Sequence, residues 1–352
     1  MQIHVEPFTV HKRVPLTISR GTSAGSTNLW VRIEAEGIEG WGEASPFAIG
    51  SAAAQTSETI ARDLAALAPI LSPLHPLQRQ TIEATLAEAP IGSAAHAAID
   101  VAIHDWLGRY AKLPLWQLWG LDLERIGPTA VTVGINSPEG AVDRLQKWRA
   151  QQQVASVKVK LGSPAGIATD QVMFEALLPH VPVGAKVSVD ANGGWALADA
   201  LSMSHWLAER GVTYLEQPLL VGDDGLLPEL YQRSPLPIFI DESCFTSADI
   251  PRLSHCIHGI NIKLMKSGGL SEARRMIHTA RAYGLQVMFG CYSDSVIANT
   301  ALAHLSPLAD HLDLDSHFNL KDDPFSGAQL VNGALVPNNR PGLGLSHHAY
   351  SP

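Results

Sequence analysis

The sequence predicts an α/β fold, a modified (β/α)7β TIM-type barrel carrying an α+β capping domain. Three observations lead there. Short apolar runs end on acids at a regular interval: Lys186–Trp195 reads KVSVDANGGW, Tyr214–Pro218 reads YLEQP and Ile238–Glu242 reads IFIDE, so Asp190, Glu216 and Asp241 stand 26 and 25 residues apart. That interval is about one strand plus one helix, which hands a carboxylate to successive tips of a parallel sheet. After Gly127-Pro128 eight strand-like runs alternate with helical periodicity, whereas before it antiparallel strands are followed by helices, as in an α+β cap. The 352 residues, 46% of them hydrophobic, suffice for a large barrel plus a smaller unit. We place the cap at 1–125, the barrel at 126–318 and a return to the cap at 319–352.

In the cap, Ile3–Val10 and Leu29–Glu36 read as strands, and Gly40-Trp41-Gly42 as a short one after the turn at Gly37. The polar, glycine-broken Ser19–Ser26 between them reads as a mobile loop. From Ala53 to Tyr110 the pattern is helical, with an alanine-rich amphipathic stripe through Ala94, Ala98, Val101 and Asp105. The barrel strands are expected at Val131–Ile135, Ser156–Leu161, Lys186–Asp190, Tyr214–Glu216, Ile238–Asp241, Ile260–Met265, Gln286–Gly290 and His311–Asp315. Helices fill the gaps, among them Glu139–Gln151, Ala196–Glu209, Leu270–Tyr283 and Ser295–Leu305. The tail is rich in Pro, Gly and Asn and holds one strand-like run, Gly333–Val336.

A net charge of −9 with no basic cluster argues against a nucleic-acid partner. The three cysteines lack metal or redox spacing, and no run is long and apolar enough for a membrane span, so a cytoplasmic protein is expected. The histidines are scattered, without zinc-ligand spacing.

Three carboxylates converging from neighbouring strand tips suit a hard divalent cation. The second barrel strand ends Lys158-Val159-Lys160, and alternation puts both lysines inside the barrel, where their burial is costly unless acids or a ligand offset it. The sixth supplies Lys263 and Lys266, followed by Ser267-Gly268-Gly269. Removing a proton next to a carboxylate makes an enediolate, which a divalent cation stabilises. A lysine near the cation and a second lysine has its pKa pushed down and serves as base. One lysine on each face permits racemisation or epimerisation.

Together these motifs, with Gly40–Ala44 (GWGEA), resemble the muconate-lactonizing subgroup of the enolase superfamily over nearly the whole chain. The resemblance implies Mg²⁺ held by Asp190, Glu216 and Asp241, Lys160 and Lys266 as the acid/base pair, Lys158 and Lys263 as electrostatic helpers, and a cap loop around Arg20 that closes over substrate. The eighth strand ends Leu312-Asp313-Leu314-Asp315, and Asp313 and Asp315 resemble the Asp-x-Asp motif that holds the amino terminus in dipeptide epimerases; the bland alternative is a solvated strand end. Ser316-His317-Phe318 departs from the more apolar run of that family. No His stands at the seventh strand tip, which disfavours sugar-acid dehydration, and Asp294 there either contacts substrate or belongs to a helix cap. Arg20 has three readings: recognition of an acidic substrate side chain, a solvated charge, or an intramolecular partner. The expected partner is a small dipeptide, handled by a homo-oligomer with neither nucleic acid nor membrane.

Overall fold

The computed structural model describes residues 1–49 and 54–348. Residues 50–53, where the helical reading from Ala53 begins, and 349–352, the end of the tail reading, lie outside the described residues.

The cap begins with β1 (Gln2–Ile18), β2 (Gly21–Ala35) and β3 (Ile38–Ala44), an antiparallel meander. The segment Ser19–Ser26 is therefore not a loop but the end of a long hairpin. Leu16 pairs with Ser23, Thr17 with Thr22 and Ile18 with Gly21, leaving Ser19 and Arg20 as the tip. Polarity did not break these strands because cross-strand hydroxyl pairs support them, Thr17 with Thr22 at 2.8 Å and Thr9 with Thr27 at 2.9 Å. A register shift between His11 and Leu16 bends the ribbon, and its tip reaches the barrel mouth, where Ser19 Oγ donates to Asn192 O.

Three helices follow, α1 (Ser57–Leu71), α2 (Arg79–Glu88) and α3 (Ser93–Ala111). The alanines of α3 have a partner in the glycines of β3. A Cβ on Gly42 would stand 2.0 Å from Ala98 O, and one on Gly40 would stand 2.2 Å from Ala102 O. Small residues on both sides let helix and strand backbones approach this closely.

The barrel strands are β4 (Val131–Val133), β5 (Ser156–Lys160), β6 (Lys186–Asp190), β7 (Val212–Glu216), β8 (Ile238–Ile240), β9 (Gly259–Ile262), β10 (Gln286–Phe289) and β11 (His311–Leu312), all parallel and paired in chain order. The sheet curls until its edges meet: Ala130 N donates to Leu312 O at 2.7 Å, and Leu314 N donates to Thr129 Oγ1 at 2.8 Å. Helices Pro138–Gln151, Leu197–Ala208, Leu270–Ala282 and Val296–Leu305 lie within a residue or so of the predicted runs. Three strands stop two or more residues before the predicted end, β4 among them, which ends at Val133. After Ile262 the chain turns into the short helix Leu264–Ser267, and after Leu312 it leads into a 3-10 turn at Ser316–Asn319.

The tail runs back over the cap. Phe325 and His347 lie 5.4 and 5.3 Å from Trp41, ring to ring, and Lys321 N donates to His11 O. The predicted strand Gly333–Val336 is present as Ala334–Val336, paired with Gln329–Val331. Among the described residues no helix is long and apolar enough to cross a membrane.

Candidate active site

Strand register brings the predicted tips to one level. Lys160 faces Asp190 in the β5–β6 ladder and Asp190 faces Glu216 in the β6–β7 ladder, while Asp241 follows β8 directly. Behind these acids the backbone leaves through left-handed residues, Asn192 at φ 45° and Gln217 at φ 36°. That conformation is costly for glutamine and is held by its side chain. Gln217 Oε1 accepts from Asp241 N at 3.0 Å and Ser243 N at 3.2 Å, tying the tip of β7 to that of β8.

The acids and lysines form one buried ionic cluster. Lys158 Nζ lies 2.7 Å from Glu216, 2.8 Å from Asp313 and 3.2 Å from Asp190. Lys160 Nζ meets Asp190 at 2.5 Å. Lys263 Nζ meets Asp241 Oδ2 at 2.6 Å and stands over the Tyr292 ring, 4.5 Å from its centre. Lys266 Nζ meets Asp241 Oδ1 at 2.7 Å and also donates to the carbonyls of Asp241 and Asn261. Burial alone would favour neutral groups, but the pairing outweighs it for Asp190 and Asp241, whose pKa values lie below the ordinary range. Glu216 goes the other way: burial and the neighbouring Asp190 push it up to about 7. The expected depression of a lysine pKa is not met at Lys158 or Lys263. Burial lowers both, yet Asp313 and Glu216 beside Lys158, and Asp241 beside Lys263, raise them well above the ordinary value.

Among the described residues no three carboxylates or imidazoles stand in ready metal geometry, because the lysines draw the acids toward themselves. The chemistry nevertheless fits. Glu216 Oε2 and Asp241 Oδ2 are fully buried and receive no directed hydrogen bond, despite an ammonium nearby. Buried carboxylate oxygens without donors suit a hard cation better than an array of hydrogen bonds.

A cavity of about 370 Å³ opens above this cluster, beneath the hairpin tip. Lys160, Asn192 and Lys263 line its polar side, and Ile18, Phe47 and Tyr292 line its apolar side. Lys160 ends β5 and Lys263 follows β9, four strands on in an eight-stranded barrel, so they approach from opposite walls with the acids of β6, β7 and β8 between them. Lys158 and Lys266 do not line it. A smaller recess of about 50 Å³ adjoins it, shares Lys160 and Tyr292, and is bounded by Thr132, Asp313 and Asp315.

Profile comparison matches residues 2–120 to "Mandelate racemase / muconate lactonizing enzyme, N-terminal domain" and residues 140–350 to "Enolase C-terminal domain-like". The chain belongs to this family. It is 44% identical to a hydrophobic dipeptide epimerase of Flavobacteria bacterium (strain MS024-2A), covering 98% of this chain and 97% of that one. A hydrophobic dipeptide epimerase of Roseobacter litoralis is 41% identical, covering 99% and 100%. Among solved structures, the dipeptide epimerase from Enterococcus faecalis V583 complexed with Mg and L-Leu-L-Tyr superposes with a TM-score of 0.90 at 31% identity, covering 98% of this chain and 99% of that one.

Within this family fold the specificity candidates separate. Arg20 sits at the hairpin tip and is committed to an intramolecular partner: it pairs with Glu242 Oε1 at 2.9 Å and donates to Asn192 O at 2.9 Å. Asp294 is buried, accepts from Tyr292 N and lines neither cavity, while the adjacent Ser295 caps the next helix by accepting from Ile297 N. Asp313 and Asp315 both bound the recess. Thr132 reaches both, its hydroxyl to Asp313 at 3.2 Å and its N–H to Asp315 at 2.7 Å. Burial and the adjacent Asp313 push Asp315 up to about 6. Sequence reasoning missed Tyr292 as a wall of the site, Gln217 as a brace, and Lys12 and Arg144, which both reach the recess. Gln217 lay inside a recognised motif; Lys12 and Arg144 sit on a hairpin strand and a barrel helix, with no spacing to mark them.

Proposed function

We propose that this protein is a Mg²⁺-dependent dipeptide epimerase working by 1,1-proton transfer. The observation that carries the reading is the pair Lys160 and Lys263 on opposite walls of one cavity, with Asp190, Glu216 and Asp241 between. The names of the full-length relatives support it. Asp190, Glu216 and Asp241 would hold the ion as their lysine contacts open; bound there, it supplies positive charge to the substrate carboxylate as Cα loses its proton. The acid/base role given to Lys266 by resemblance passes here to Lys263. Lys266 is sealed by three acceptors, whereas Lys263 reaches the cavity. In one direction Lys160 Nζ takes the Cα proton on one face while the Lys263 ammonium delivers a proton on the other, and the return uses the opposite protonation states. Asp313 and Asp315 receive the amino terminus, whose ammonium pairs with the Asp315 carboxylate. The apolar wall and the engagement of Arg20 with Glu242 favour a hydrophobic second residue over an acidic one.

The test is deuterium incorporation at Cα of L-Ala-L-Leu, L-Ala-L-Glu and a wider dipeptide library in D₂O, with Mg²⁺ and after chelation. Mg²⁺-dependent exchange with inversion is expected, strongest for hydrophobic second residues. No exchange across the library would reject the reading.

A further inference from the structure

Two cations bound the small recess beside Asp313 and Asp315, and the proton-transfer scheme uses neither. Lys12, on β1, is 8% exposed and makes one side-chain hydrogen bond, to the neutral Ser23 Oγ at 2.9 Å. Arg144, on helix Pro138–Gln151, is 7% exposed and lies on the Trp148 ring with its guanidinium carbon 4.1 Å from the centre. Trp148 is itself fixed, donating from Nε1 to Thr132 O. Among the described residues neither cation has a carboxylate in ion-pair contact, and the Arg144 guanidinium makes no hydrogen bond. A largely buried ammonium with unused N–H donors and a guanidinium with no protein acceptor, both facing the recess, call for water or a ligand there. Stacking on Trp148 leaves the guanidinium edge free for planar, two-point recognition of a carboxylate.

We infer that Lys12 and Arg144 form an anion subsite for the side chain of the dipeptide's first residue, selecting Glu or Asp there. The inference rests on the epimerase reading, because it takes Asp313 and Asp315 as the seat of the amino terminus. Groups next to that seat meet the side chain on the same carbon. The bound ammonium compensates Asp315, which otherwise draws on the charge of both Lys12 and Arg144. Both cations are then free for the acidic side chain, and charge in the recess balances. The preferred substrate is thus acidic at its first residue and hydrophobic at its second.

Titration calorimetry of the Mg²⁺-loaded protein with L-Glu-L-Leu and its near-isostere L-Gln-L-Leu tests this. The glutamyl dipeptide is expected to bind about tenfold tighter or more, as suits charge-assisted hydrogen bonds in a dry site. Lys12→Met and Arg144→Met should each bring the ratio of the two dissociation constants toward one. Equal affinities for the wild type, or a ratio unchanged in the variants, would overturn the subsite. The wild-type ratio decides the matter even if a variant fails to fold. Because the calorimeter reports the heat of binding and Cα exchange is followed separately, absence of exchange would sink the epimerase reading without deciding the subsite.

Discussion

The barrel tips and the cap hairpin face each other across one cavity and are built on opposite principles. At the tips, Lys158, Lys160, Lys263 and Lys266 are locked to Asp190, Glu216 and Asp241 by contacts between 2.5 and 3.2 Å, and nothing but the cavity wall is exposed. The hairpin is a two-stranded ribbon stitched by threonine hydroxyls, and it holds the mouth through Arg20, Ser19 and the carbonyl of Thr17, which accepts from Ile135 N. A buried ionic cluster tolerates little variation, since removing one partner strands a charge. A polar ribbon over a cavity exchanges side chains at low cost. On the proposed function the chemistry would therefore belong to the barrel, and the choice of substrate to the cap and the recess beside it.

The sharpest way to break this division is to remove the two proposed bases. Lys160→Ala and Lys263→Ala should each lower epimerisation about a thousandfold. Proton exchange followed by NMR should survive for only one epimer in each variant, and for opposite epimers in the two. If both variants lost exchange equally with both epimers, the lysines would not occupy separate faces.

A smaller effect is expected at the hairpin tip. Arg20→Met strands the buried Glu242 and loosens the closure over the site, so KM for hydrophobic dipeptides should rise about tenfold while kcat changes little. A loss confined to dipeptides with an acidic second residue would instead restore Arg20 as a substrate contact.

An effect on stability, with none expected on turnover, lies where cap and barrel are joined. Glu43, from β3, accepts from Ser295 N, Ser295 Oγ and Ala298 N of the barrel and is fully buried. Burial, with Asp294 nearby, pushes it up to about 8. The native state thus holds this proton more tightly than the unfolded chain does. The resulting stability is present at low pH and is lost as pH rises through about 8. Between pH 6 and pH 8 the loss should be about 2 kcal/mol, read as a falling Tm, and Glu43→Gln should flatten that slope.

Much of the barrel is legible in the sequence. The β/α period places Asp190, Glu216 and Asp241 on successive strands, and alternation within Lys158-Val159-Lys160 aims both lysines inward. The hairpin was misread because Ser19–Ser26 is polar and holds glycines, and composition carries no record of the hydroxyl pairs that support the ladder. Arg144 was invisible because a buried cation on a barrel helix looks, in sequence, like any solvated helix face.

Covalent spacing was enough to say which acids share a level, since side-chain direction along a strand depends only on the count of residues. It was not enough to choose between Lys263 and Lys266. Beyond Ile262 the backbone turns from strand to helix, so Lys263 stays on the cavity wall while Lys266 swings back under Asp241 and Asn261. Arg20 likewise took its partner from a strand tip more than two hundred residues away. Local geometry propagates along the chain, whereas partners across the barrel exist only once the sheet has closed.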